Sequence, residues 1–110
     1  MTDFVTEFNS EAARNFKVAK DHGWWNGEIN DGEKIALIHS ELSEALEALR
    51  NFNPQDSHIP EFTSLEAELA DVVIRVMDYA LYRKLRLPEA IQAKREYNST
   101  RPYKHGGKLF

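Results

Sequence analysis

Apolar residues recur at intervals of three and four along almost the whole 110-residue chain, and strict alternation is nearly absent. That period selects helices over strands before any other feature is weighed, so the chain reads as all-α. Phe4, Phe8, Ala12, Phe16 and Ala19 mark one face of a first helix over about residues 3–22, ended at His22-Gly23 because glycine is a common helix terminator. Asn30 or Asp31 caps a second helix over about 31–51, whose Ile35, Ile38, Leu42, Ala45, Leu46 and Leu49 form an apolar stripe. Asn53-Pro54 breaks it. Thr63 and Glu66 have capping-box spacing, so a third helix runs over about 64–85 and buries Leu65, Leu69, Val72, Val73, Val76 and Ala80. Pro88 suits the first turn of a fourth helix over about 88–97, and Pro102 with Gly106-Gly107 makes the stretch from about 99 to 110 a basic tail.

Helices two and three are expected to pair antiparallel in a small four-helix bundle forming one domain. Its core is thin for its length, and subunit association is the expected remedy. The absence of cysteine excludes disulfide scaffolds and thiol chemistry. No apolar run is long enough to span a bilayer and no secretory leader opens the chain, so a soluble, cytoplasmic protein without a membrane partner is expected.

Net charge is −4, which argues against a polynucleotide binder. The charge is unevenly placed. Residues 94–110 carry five Lys/Arg and one acid, so the total divides into +4 there and −8 in the rest.

Within the acidic body, Glu41 and Glu44 lie three apart on helix two, and Glu68 and Asp71 repeat the spacing on helix three. Residues three apart sit about 60° apart around a helix, on one face. Two carboxylates about 4 Å apart at an effective dielectric near 20 repel by roughly 4 kcal/mol, so four brought together need compensation. A hard divalent cation such as Mg²⁺ supplies it, with room left for water and phosphate oxygens. Taken alone, each pair also reads as an ordinary solvated helix face, which Glu47 would extend. A di-iron carboxylate site would require Glu-x-x-His pairs, and none is present; His39 lies two residues from Glu41, about 200° around the helix.

The order Glu41-Leu-Ser-Glu44, twenty-three intervening residues, then Glu68-Leu-Ala-Asp71 resembles the signature of the MazG-like, all-α nucleoside triphosphate pyrophosphohydrolases. The strings KIALIHSELSEALEALR and ELADVVIRVMDYA and the ending NSTRPYKHGGKLF are also similar to short single-domain members, so the likeness covers most of the chain from about Gly23 onward. The resemblance implies hydrolysis of a (deoxy)nucleoside triphosphate to monophosphate and pyrophosphate, with house-cleaning of the nucleotide pool as one role. It implies Mg²⁺, with Mn²⁺ as a substitute, held by Glu41, Glu44, Glu68 and Asp71, and a homodimer or homotetramer whose subunits complete each other's sites. Many relatives have a further Glu just before the first motif acid, where this chain has Ser40; its role in assisting the attacking water is vacant here or moves to Glu41, Glu44 or Glu47.

Lys94 and Asn98 match positions that the family sets near the phosphates, and Arg101, Lys104 and His105 follow on a tail that could close over a polyphosphate. Lysine offers a point charge and arginine a fork. The competing reading is a solvated terminus. Trp24 and Trp25 stand where similar enzymes hold a base, stacking being worth about 1–3 kcal/mol per base in single-stranded nucleic acids; the alternative is a hydrophobic plug between helices one and two. Tyr97 is a weaker candidate, and Tyr79 reads as core. From another class, a non-catalytic helical oligomer would bind nucleotide or a protein through the same surface.

Overall fold

The computed structural model describes residues 3–110, and these are helical with no β-strand among them. Helix α1 (Phe4–Asp21) starts where the Asp3 carboxylate accepts the Thr6 N–H at 2.8 Å, and stops at His22 before Gly23, whose φ of +86° suits glycine. Helix α2 (Asp31–Arg50) is capped by the Asn30 side chain, which accepts the Glu33 N–H at 3.0 Å. It ends at Phe52 and Asn53, both left-handed with φ of 63° and 47°. Asn53 then serves twice, because its side-chain oxygen accepts the Leu65 N–H at 2.8 Å and so satisfies a donor in the first turn of the next helix.

Helix α3 (Ser64–Tyr82) begins with the expected capping box between Thr63 and Glu66. It ends three residues short of the expected boundary. Lys84 turns left-handed (φ 56°) and the Leu85 N–H bonds back to the Ala80 carbonyl at 2.8 Å, a stop that no glycine announces. Helix α4 (Leu87–Ser99) has the fully buried Pro88 in its first turn and runs two residues past its expected end. The tail adds a fifth short element, α5 (Lys104–Gly107), in which all four residues have positive φ. It is a left-handed turn, and the Gly106-Gly107 pair makes it tolerable.

Helix α3 lies between α2 and α1, and α4 docks on α1. The α2–α3 pair is antiparallel as expected. Asp31 at the start of α2 accepts hydrogen bonds from Tyr79 Oη (2.8 Å) and Arg83 Nε (2.7 Å) near the end of α3, while Asn53 beyond α2 meets Leu65. Trp25, in the α1–α2 connection, stacks on Tyr82 with ring centroids 4.5 Å apart and leans on Phe16 at 5.5 Å. This aromatic cluster fixes the entry into α2.

The core departs from the expected stripes. Its buried apolar residues are Ala12, Ala45, Ala48, Ala80 and Pro88, whereas Ile35, Leu42, Leu46 and Leu49 of α2 are 43–53% exposed. Leu69 and Val73 of α3 are likewise exposed. The reason is geometric: α2 buries Ala45 and Ala48 and half-buries Leu37 and Ile38, while Ile35, Leu42, Leu46 and Leu49 of the same broad apolar arc point outward. Among the described residues no helix is long and apolar enough to cross a membrane.

Candidate metal centre and adjoining cavity

Antiparallel pairing brings the middle of α2 against the first half of α3, and there the expected acids meet. Glu41, Glu68 and Asp71 each offer a carboxylate oxygen, all within 4.8 Å of one another. An octahedral Mg²⁺ at about 2.1 Å from each ligand would need oxygens roughly 3 to 4 Å apart, so small side-chain adjustments suffice to fit the donor set. The oxygen-only chemistry suits a hard cation and leaves coordination positions for water or phosphate.

The electrostatics are those of a crowded anionic site. Desolvation first, and then the charges of Asp71, Glu41, Glu44 and Asp56, raise the Glu68 carboxyl above its ordinary value. Asp71 is raised by desolvation and by Glu41 and Asp56, against the opposing pull of Arg75. Each carboxylate therefore binds a proton more readily than a free one.

Glu44, the fourth expected ligand, is exposed and stands outside the three-oxygen cluster, near enough for its charge to act on Glu68. Asp56 is an acid that the sequence reading missed. It sits in the α2–α3 connection, where it accepts the His58 and Ile59 N–H groups at 2.8 and 2.9 Å, and these bonds hold its own carboxyl below the usual range. Ser40 is exposed and donates its hydroxyl to the Leu37 carbonyl at 2.7 Å.

Arg75 was also missed. Its Nε donates to Glu41 Oε1 at 2.7 Å, and its guanidinium carbon lies 5.2 Å from the centre of the Trp24 ring. Beside this pair opens a cavity of about 360 Å³, walled by Trp24, Trp25, Lys34, Asp71, Arg75 and Asp78 among others. Asp71 thus belongs to both the acid cluster and the cavity wall. Trp24 is 52% exposed. The Trp25 ring is engaged by Tyr82 and by the Lys34 ammonium 4.2 Å from its centre, so it acts as the plug between α1 and α2.

Asp78 is the buried charged residue among those described, at 6% exposed. Burial pushes its carboxyl up to about 6, against the influence of Arg75 and Lys34. A signal for Arg75 and Asp78 exists in the sequence, since Asp71, Arg75 and Asp78 are spaced four and three and so share a helix face.

The basic end is not brought to the carboxylates within one copy of the chain. Lys94 and Asn98 line a shallow groove on α4, and Lys94 and Arg101 flank the Tyr97 ring at 5.1 and 5.7 Å. Lys104 and His105 are exposed in the left-handed turn. Among the described residues none of these five pairs with Glu41, Glu44, Glu68 or Asp71. Comparison of the chain with protein-family models, with curated proteins and with solved structures gives no match.

Proposed function

We propose that the chain is a Mg²⁺-dependent nucleoside triphosphate pyrophosphohydrolase of the MazG-like kind. The observation that carries this reading is the convergence of Glu41, Glu68 and Asp71 from two antiparallel helices, with Asp71 also in the wall of an aromatic-lined cavity. Mg²⁺, or Mn²⁺ in its place, would neutralise the triphosphate and acidify a bound water. Glu41, Glu68 and Asp71 would hold the cation, and Glu44 would join them by a side-chain movement or through water. Glu41 or Glu44 takes the proton as water oxygen attacks phosphorus and the bridging P–O bond breaks, giving monophosphate and pyrophosphate. Trp24 and the cavity beside it hold the base.

Lys94, Asn98, Arg101, Lys104 and His105 reach the phosphates from a second copy of the chain in a homodimer or homotetramer. Exposed apolar side chains at three- and four-residue spacing on α2 (Leu42, Leu46, Leu49) and α3 (Leu69, Val73) support association, since apolar surface of that kind is favourably covered.

Pyrophosphate release from a panel of canonical and modified deoxynucleoside triphosphates, with and without Mg²⁺, tests the proposal. Release that requires Mg²⁺ is expected. A folded, Mg²⁺-binding protein that releases none from any member overturns it. Ser40 favours one further reading, in which the site binds nucleotide without cleaving it, because its hydroxyl is engaged by Leu37 and no acid occupies the position. Calorimetric triphosphate binding without pyrophosphate release is the result that reading requires.

A further inference from the structure

A guanidinium carries five N–H donors and grips a carboxylate best through two parallel bonds. Arg75 makes one: its Nε donates to Glu41 Oε1 at 2.7 Å, and its two terminal amino groups meet no acceptor among the described residues. A pair that served packing alone would gain from the second bond. The group is instead fixed from another side, with its central carbon 5.2 Å from the centre of the Trp24 ring. It forms part of the cavity wall together with Asp71, one turn before it on α3. Among the described residues, Arg75 is also the cation that pairs with an acid of the cluster. Its remaining donors therefore lie where the cavity meets the carboxylates.

We propose that the terminal N–H groups of Arg75 donate to a phosphate oxygen of the triphosphate, which makes Arg75 a substrate contact supplied by the same copy of the chain as the carboxylates. The inference rests on the nucleotide reading above and names a residue within that site. A phosphate that shares a cation with Glu41 and Asp71 lies against those carboxylates, and so beside the guanidinium that Glu41 holds. Phosphate and carboxylate repel each other, and the site must offset that repulsion before a triphosphate can enter. Mg²⁺ and Arg75 together balance the charge of Glu41, Glu68 and Asp71. A guanidinium matches phosphate oxygens with its planar fork. One already held by Nε and by the Trp24 ring loses less freedom on binding than a loose side chain does. Lys94 and Arg101 depend on a second copy to reach this centre, whereas Arg75 is present at it in every copy.

The test is calorimetry at pH 7.5 with the full chain, using Mg²⁺ alone and then inorganic tripolyphosphate in saturating Mg²⁺, a probe with no base to stack on Trp24. Arg75→Gln is expected to bind tripolyphosphate about tenfold more weakly than the parent or worse, as the loss of a charge-assisted hydrogen bond requires. It is expected to bind Mg²⁺ alone at least as tightly, since a competing positive charge has gone. Arg75→Lys keeps a charge beside Glu41 and loses the fork; it is expected to weaken tripolyphosphate by about fivefold with unchanged helical circular dichroism, and it carries the test if Arg75→Gln does not fold. A parent that binds Mg²⁺ and not tripolyphosphate overturns the proposal, as does tripolyphosphate affinity in either folded variant within about twofold of the parent. A variant that loses Mg²⁺ as steeply as tripolyphosphate also overturns it, because Arg75 would then only orient Glu41. Weakened tripolyphosphate binding in the variants, with no pyrophosphate release by the parent, would sustain the contact while overturning hydrolysis; pyrophosphate release with equal KM in the parent and Arg75→Lys would do the reverse.

Discussion

Arg75 Nε sits 2.7 Å from Glu41 Oε1, joining the middle of α3 to the middle of α2 at the edge of three clustered carboxylates. The pair is mostly shielded from water, with 33% and 15% of the two side chains exposed. Arginine here is the protein's own counter-ion. Removing it leaves Glu41 facing Glu68 and Asp71 with no opposite charge in contact.

Arg75→Gln is therefore expected to destabilise the fold by about 1–3 kcal/mol at pH 7.5, between the values for exposed and for buried pairs. The loss should shrink at pH 4, because the raised Glu68 and Asp71 carboxyls take up protons ahead of free ones, and shrink again in the Arg75→Gln, Glu41→Gln double variant. Urea unfolding at both pH values measures it. An equal loss at both would show that packing against Trp24, and not charge, is what Arg75 contributes.

Stability should peak in mildly acidic solution. Glu68, Asp71 and Asp78 have folded-state pKa values raised above their unfolded ones, with Asp78 at about 6. The folded state therefore holds protons more tightly, and each group stabilises as pH falls through its folded pKa. Asp31, Asp56 and Glu66 are shifted down by hydrogen bonds, and their contribution disappears as pH falls through their folded values, below the ordinary carboxylate range. A maximum between about pH 4 and 6 follows. Asp78→Asn is expected to raise stability by about 1–2 kcal/mol at pH 8 and to have little effect at pH 4.5. Thermal unfolding across pH checks both statements.

Mg²⁺ is expected to raise the melting temperature, because a ligand selective for the folded state stabilises it. Glu41→Gln and Asp71→Asn should remove that shift and any turnover while leaving helical content intact. Asp71→Asn should also unfold at a higher temperature than the parent without Mg²⁺ at pH 7.5, whereas Glu41→Gln, which breaks the pair with Arg75, should unfold at a lower one. Glu44→Gln is expected to weaken the Mg²⁺ response only partly, since Glu44 lies outside the cluster. An unchanged Mg²⁺ shift in Asp71→Asn would remove it from the ligand set.

The exposed Leu42, Leu46 and Leu49 of α2 and Leu69 and Val73 of α3 are expected to lie in a subunit interface. Leu42→Glu with Leu46→Glu should yield monomers in sedimentation velocity, and should lower pyrophosphate release if Lys94 and Arg101 act on a neighbouring copy. A parent protein that sediments as a monomer at 100 μM would overturn the assignment.

The helical class and the acid pairs were legible because both rest on local spacing: apolar residues three and four apart, carboxylates three apart, a capping box at Thr63 and Glu66. What the pattern could not say is which part of an apolar arc meets its own chain. Ala45 and Ala48 are buried while Leu42, Leu46 and Leu49 stay exposed, a choice set by how closely α2 and α3 approach. Arg75 and Asp78 were passed over because their polar face shares a helix with a strong apolar stripe, and their partners lie on α2 or inside the cavity. The stop at Lys84 and the left-handed turn from Lys104 arise from backbone conformations for which non-glycine residues give little warning.

Alanine at the buried positions of α1, α2 and α3 has a consequence for the acids beside it. Helix axes separate according to the bulk of the side chains between them, over about 8–10 Å. Ala45 lies one turn along from Glu41, so the smallest chiral side chain acts as the gauge that sets the gap between carboxylates on opposite helices. A larger residue there would wedge the helices apart and widen the oxygen spacing. Whether the three carboxylates can close on a cation would thus be governed by uncharged methyl groups that never touch it.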